Sequence, residues 1–109
     1  MVDKCTLPDN WNESSGTGMF LYLIKKSIDQ GYIDATTYGP AVASAYQGLV
    51  QKATANSDGS VDIKDCSSIG VQNTYSDYVS KPKQVSPPSC VSSFIAGTLI
   101  VEKPTSATP

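Results

Sequence analysis

The chain has 109 residues, 39% of them hydrophobic and 17% charged, with a formal net charge of −2. That length suits about one domain, and the balance excludes global disorder because enough apolar surface is available to bury. All eight basic residues are lysine and histidine is absent, which excludes an arginine-built nucleic-acid face and any histidine-dependent nucleophilic machinery within this chain.

Residues 1–12 read as an irregular lead-in with Pro8 and the single Trp11. Ser14 or Ser15 then suits the cap of a helix that runs to about Gln30 and stops at Gly31, where a left-handed backbone costs glycine little. Within that helix, residues 19–24 are apolar or aromatic without a break, so both of its flanks call for burial. Asp34 as cap, Pro40 near a first turn, and Val42, Tyr46, Leu49, Val50 and Ala53 at three-and-four spacing predict a second helix. The connection Gly31-Tyr32-Ile33-Asp34 is short, which favours an antiparallel helical hairpin.

Beyond it, Asn56-Ser57-Asp58-Gly59 is a turn signal, and residues 60–64 alternate polar and apolar as a short edge strand does. Residues 66–71 form a loop of small side chains, 74–79 one or two helical turns carrying Tyr75 and Tyr78, and 81–83 and 86–89 proline loops. A last helix is expected over 91–101, with a frayed tail at 104–109. The fold class is therefore mainly α, with one short β element.

Three cysteines, Cys5, Cys66 and Cys90, make an odd count with no CxxC pair, which argues against a zinc site, and nothing in the chain calls for a metal or other cofactor. The simplest arithmetic is one disulfide plus one thiol. Cys66 with Cys90, both in Ser-, Gly- and Pro-rich sequence, is the pairing favoured, leaving Cys5 to find a partner elsewhere. Residues 1–10 lack a signal-peptide pattern and no apolar run reaches transmembrane length, so no membrane partner is expected. Asn12-Glu13-Ser14 matches a glycosylation sequon.

The stretch SSGTGMFLYLIKKSIDQGYID resembles the motif (E)(S/T)SG(T/S)AMF-Y-L-KGI--GYLD of the unsaturated rhamnogalacturonyl hydrolases, glycoside hydrolase family 105, related to family 88. YGPAVASAYQGLVQKA, DGSVDIKDCSSIGV, YSDYVSKPKQVS and CVSSFIAGTLIVE resemble further family motifs in the same order, so the likeness covers most of residues 6–102. Two departures stand out: the family's GTGVG is here Ser67-Ser68-Ile69-Gly70-Val71, and its His-Gly pair before the last helix is Ser89-Cys90.

The resemblance implies a partial six-hairpin (α/α) barrel, with residues 1–103 as its C-terminal portion and 104–109 as a disordered tail. It implies a partner sugar bearing an unsaturated uronic acid, left by pectin lyases, and an aspartate that protonates C4 of the double bond while water is directed to C5. That aspartate belongs to family segments upstream of residue 1, so no catalytic residue is assigned here. A truncated enzyme-like protein, inactive alone, follows. Its apolar flanks would be completed by the missing hairpins or by self-association, and the family resemblance would place it outside the cell. Glu13, Ser14, Ser15 and Thr17 are the candidate substrate-binding residues, at the barrel mouth, although helix capping alone explains the hydroxyls and is the favoured reading of them. Asp58, Asp62 and Asp65 read as turn chemistry and solvated charge. A non-catalytic carbohydrate-binding module and a small secreted helical interaction protein are the alternatives.

Overall fold

The computed structural model describes residues 6–68 and 73–103. The expectations for Cys5, for residues 69–71 of the expected 66–71 loop and for the tail at 104–109 lie outside the described residues, while Cys66–Ser67 of that loop is a short strand. Four helices and four short strands follow in the order α1 (Ser14–Asp29), α2 (Ala35–Val50), β1 (Ala53–Ala55), β2 (Val61–Ile63), β3 (Cys66–Ser67), α3 (Tyr75–Val79), β4 (Lys83–Gln84) and α4 (Pro88–Glu102).

α1 ends as its sequence requires. Gly31 takes φ 77°, its N–H reaches the Ile28 carbonyl at 2.9 Å, and Tyr32 N–H reaches Ser27 at 2.9 Å, which is the double-bonded glycine stop of a Schellman motif. Asp34 caps α2, its carboxylate accepting from Thr37 N–H at 2.7 Å. Pro40 lies inside α2 rather than at its start, because the helix begins directly at Ala35 behind that cap.

α4 starts earlier than the sequence suggests. Pro88 and Ser89 belong to its first turn, since proline's fixed φ suits a helix start where the missing N–H would have no partner anyway. Cys90 is therefore helical, not in a loop. β1 and β2 form an antiparallel hairpin with Ala53 opposite Ile63, closed by the 56–59 turn. β3 and β4 form a second two-stranded sheet, so the single β element expected from alternation is one of two.

Leu21, Val42 and Leu49 make one buried cluster, flanked by Ile24, Ala45 and Phe94. Ile63, Cys66 and Cys90 make another, also flanked by Phe94. Phe94 thus joins the helical core to the sheets, and a disulfide between Cys66 and Cys90, Cα atoms 6.0 Å apart, fixes α4 to β3. α1 and α4 meet through glycines. A Cβ on Gly97 would lie 2.8 Å from the Gly18 carbonyl oxygen, and one on Gly18 would lie 2.7 Å from the Ser93 carbonyl carbon.

The apolar run at 19–24 divides. Leu21 is buried, whereas Met19, Phe20, Tyr22 and Leu23 are 40–60% exposed on the opposite side of α1, and Ile95 and Leu99 of α4 are 54% and 62% exposed. One side of each helix packs within this chain and the other does not.

Candidate functional site

The first turn of α1 is bolted to the β-rich end of the molecule. Ser14 N–H donates to the Asp65 carbonyl at 2.9 Å and its hydroxyl donates to the Lys64 carbonyl at 2.6 Å. Glu13 stands just outside the helix with an extended backbone. Its carboxylate accepts from Gly16 N–H at 2.7 Å, from the Ser15 hydroxyl, and from Ser67 N–H on β3 at 2.9 Å. The Thr17 hydroxyl donates to the Glu13 carbonyl at 2.6 Å.

Glu13, rather than Ser14 or Ser15, is therefore the helix cap. A carboxylate one methylene longer than that of aspartate reaches the helix and the neighbouring strand together. Glu13→Ala removes both links and is expected to lower stability by about 1–2 kcal/mol, measured by urea denaturation, with Glu13→Gln losing less. An unchanged midpoint for Glu13→Ala would show that these bonds do not hold the helix start.

A cleft of about 320 Å³ opens between the start of α1 and the end of α2. Asn12, Thr17, Ser44, Gly48, Gln51 and Lys52 line it, and Ser14 contributes from α1. Of the four candidate substrate-binding residues, Ser14 and Thr17 thus reach the cleft wall, while Glu13 and Ser15 are engaged with each other. Ser44, Gln51 and Lys52 carry no motif that singles them out. Their importance comes from α2 folding back alongside α1.

Beside the cleft, Asp65 adopts φ 58° and receives the Lys52 ammonium at 2.7 Å. That hydrogen bond, aided by the charges of Lys52, Lys83 and Lys64, holds the Asp65 carboxyl below its ordinary range. Asp29 is lowered likewise, chiefly by a hydrogen bond from Lys25. Both folded values are depressed, so their stabilisation is complete above the unfolded aspartate value of about 3.9 and is lost as pH falls through the folded ones. Lys52→Met is accordingly expected to flatten the acid limb of a plot of Tm against pH. A limb identical to wild type would show that Asp65 takes nothing from Lys52.

The other carboxylates serve turns. Asp58 accepts from Ser60 N–H at 2.9 Å, and Asp62 accepts from Asn56 at 3.1 Å and from Ser86 at 3.2 Å. Tyr75 and Tyr78 stack at 6.3 Å, the Tyr75 hydroxyl donates to Asp9 at 2.8 Å, and the Trp11 indole N–H donates to the Val79 carbonyl at 3.2 Å. These contacts close α3 over the lead-in. Among the described residues, no three His, Cys, Asp or Glu side chains converge as metal ligands do, and no helix is long and apolar enough to cross a membrane.

Comparison with known proteins bears on this arrangement. The sequence model of Glycosyl Hydrolase Family 88 matches residues 1–102. A solved glycoside hydrolase from family 105 of C. acetobutylicum ATCC 824 superposes with a TM-score of 0.80 at 21% identity. The match covers 94% of this chain and 30% of that one, so this chain spans under a third of that enzyme's length and shares the fold of the corresponding part of an (α/α)-barrel.

Proposed function

The chain belongs to glycosyl hydrolase family 88, and from that premise we propose that it is the C-terminal portion of an (α/α)-barrel glycosidase-like protein, without activity by itself. The observation that carries this reading is the uncovered side of α1 and α4. Met19, Phe20, Leu23, Ile95 and Leu99 are each more than half exposed, and apolar side chains grouped on packed helices are what neighbouring hairpins cover in a layered helical fold.

The substrate class follows from the family resemblance: an unsaturated uronic acid at the end of a rhamnogalacturonan oligosaccharide derived from pectin. The general acid belongs to barrel segments outside this sequence. This chain supplies a wall and the anchored start of α1. The Cys66–Cys90 disulfide supports an oxidising, extracellular setting. Further hairpins, or other copies of this chain, are the partners that its apolar side fits.

The test is to incubate the purified chain with an unsaturated rhamnogalacturonan disaccharide and follow the absorbance of the double bond. No loss of absorbance is expected. Turnover that survives repurification of the chain would overturn the assignment of the general acid to segments outside it.

A further inference from the structure

Asn12 heads the one Asn-X-Ser/Thr triplet of the sequence, Asn12-Glu13-Ser14, the acceptor pattern for N-linked glycosylation of secreted proteins. The structure divides that triplet in two. Glu13 and Ser14 are built into the fold: the Glu13 carboxylate holds Gly16 and Ser67, and Ser14, 1% exposed, donates its hydroxyl to the Lys64 carbonyl at 2.6 Å. Asn12 is not. It is exposed, in a stretch without regular secondary structure, and among the described residues no hydrogen bond or ion pair uses its side chain. Its Nδ2 nitrogen can therefore carry a bulky group without breaking a contact.

The position also suits a modified surface. Asn12 lines the cleft on the α2 side of the start of α1, the side on which Leu21 packs with Val42 and Leu49. Met19, Phe20 and Leu23 are exposed on the opposite side. A glycan on Asn12 stands away from the apolar side that awaits a covering, so the two do not compete.

We infer that Asn12 is N-glycosylated on a eukaryotic secretory route, before the first turn of α1 docks. This rests on the extracellular setting proposed above. In the transfer, Nδ2 attacks the anomeric carbon of an oligosaccharide carried on a polyprenyl diphosphate. The new C–N bond forms as the C–O bond to the diphosphate breaks; the diphosphate leaves on its lipid and the amide gives up one proton. The order follows from Ser14. The acceptor pattern includes the third-position hydroxyl as well as the asparagine, and in the folded chain that hydroxyl is buried and already donated.

The test is to secrete the full 109-residue chain from a eukaryotic host and measure its intact mass before and after an amidase that releases N-glycans. The expected mass exceeds that of the bare chain by one oligosaccharide, which the amidase removes, leaving an aspartate at position 12. Asn12→Gln should be secreted at the bare mass with an unchanged Tm, because the side chain it replaces holds nothing. Ser14→Ala should lose the glycan although Asn12 remains. Folded chain purified from bacteria should stay unmodified when mixed with the transferase and its lipid-linked oligosaccharide. A bare wild-type chain after secretion, a glycan that survives in either variant, or transfer onto the folded chain would overturn the inference. Such failure leaves the barrel reading standing, whereas turnover by the chain alone would sink that reading and leave the glycan untouched.

Discussion

Gly18→Ala is expected to destabilise the fold by about 3 kcal/mol. At roughly 4–8 °C per kcal/mol for a domain of this size, the fall in Tm is on the order of 15 °C. The new methyl carbon would lie 2.7 Å from the Ser93 carbonyl carbon and 3.2 Å from the Phe94 nitrogen. Both are helix backbone, so no rotamer change relieves the contact and α4 must move away from α1. Phe94 touches both hydrophobic clusters, so that movement loosens the whole interior. Gly97→Ala meets the same crossing from the other side, 2.8 Å from the Gly18 oxygen, and should behave alike. Gly39→Ala, where a Cβ meets nothing within 4 Å, is the control and should be neutral or stabilising. A small effect at Gly18 would mean that the two helices do not approach through it.

Replacing Cys66 and Cys90 together by alanine should cost about 3 kcal/mol, the stabilisation associated with closing a loop of this length. The two are 24 residues apart in sequence and both are fully buried. The closed segment contains α3 and β4, whose strand pairing is only two residues deep. Without the bond, the described residues of that segment are held to the rest of the chain by hydrogen bonds such as Trp11 to the Val79 carbonyl and Tyr75 to Asp9, and limited proteolysis should cut between 67 and 89 before it cuts α1 or α2. Denaturant unfolding measures the loss. A change under about 1 kcal/mol would place the main restraint elsewhere.

The parts legible in the sequence were those with a local cause. Gly31 ended α1, Asp34 began α2 and the 56–59 turn closed a hairpin, each through backbone chemistry that neighbouring residues determine. Three features needed the tertiary structure. Glu13 caps α1 because Ser67 also lies within reach, and no spacing rule brings residue 67 beside residue 13. Pro87-Pro88-Ser89 reads as loop, yet proline at the first helical position is what lets α4 begin there. Gly18 lies against the backbone of α4 at Ser93 and Phe94, a neighbour far away along the chain that nothing around it in the sequence identifies.

The candidate site was legible in part. The small polar residues at the start of α1 stand out in the sequence, and in the structure the hydroxyls of Ser15 and Thr17 are taken up by Glu13 and that of Ser14 by the Lys64 carbonyl. The residues that open the cleft opposite them, Ser44, Gly48, Gln51 and Lys52, lie in the motif-like stretch 38–53, but which of its residues face α1 is decided only when α2 is folded against it. The uninterrupted apolar run at 19–24 pointed to a helix with more greasy surface than this chain covers, and Met19, Phe20, Tyr22 and Leu23 are indeed exposed beside a buried Leu21.

The most direct test of that surface is the solution mass of the 109-residue chain, by sedimentation over a range of concentrations with an apolar dye as second readout. Concentration-dependent association with strong dye binding is expected. Both should disappear when Met19, Leu23, Ile95 and Leu99 are replaced by glutamine with helix content unchanged. A wild-type chain that stays monomeric at every concentration, unfolds cooperatively and binds no dye would contradict the account.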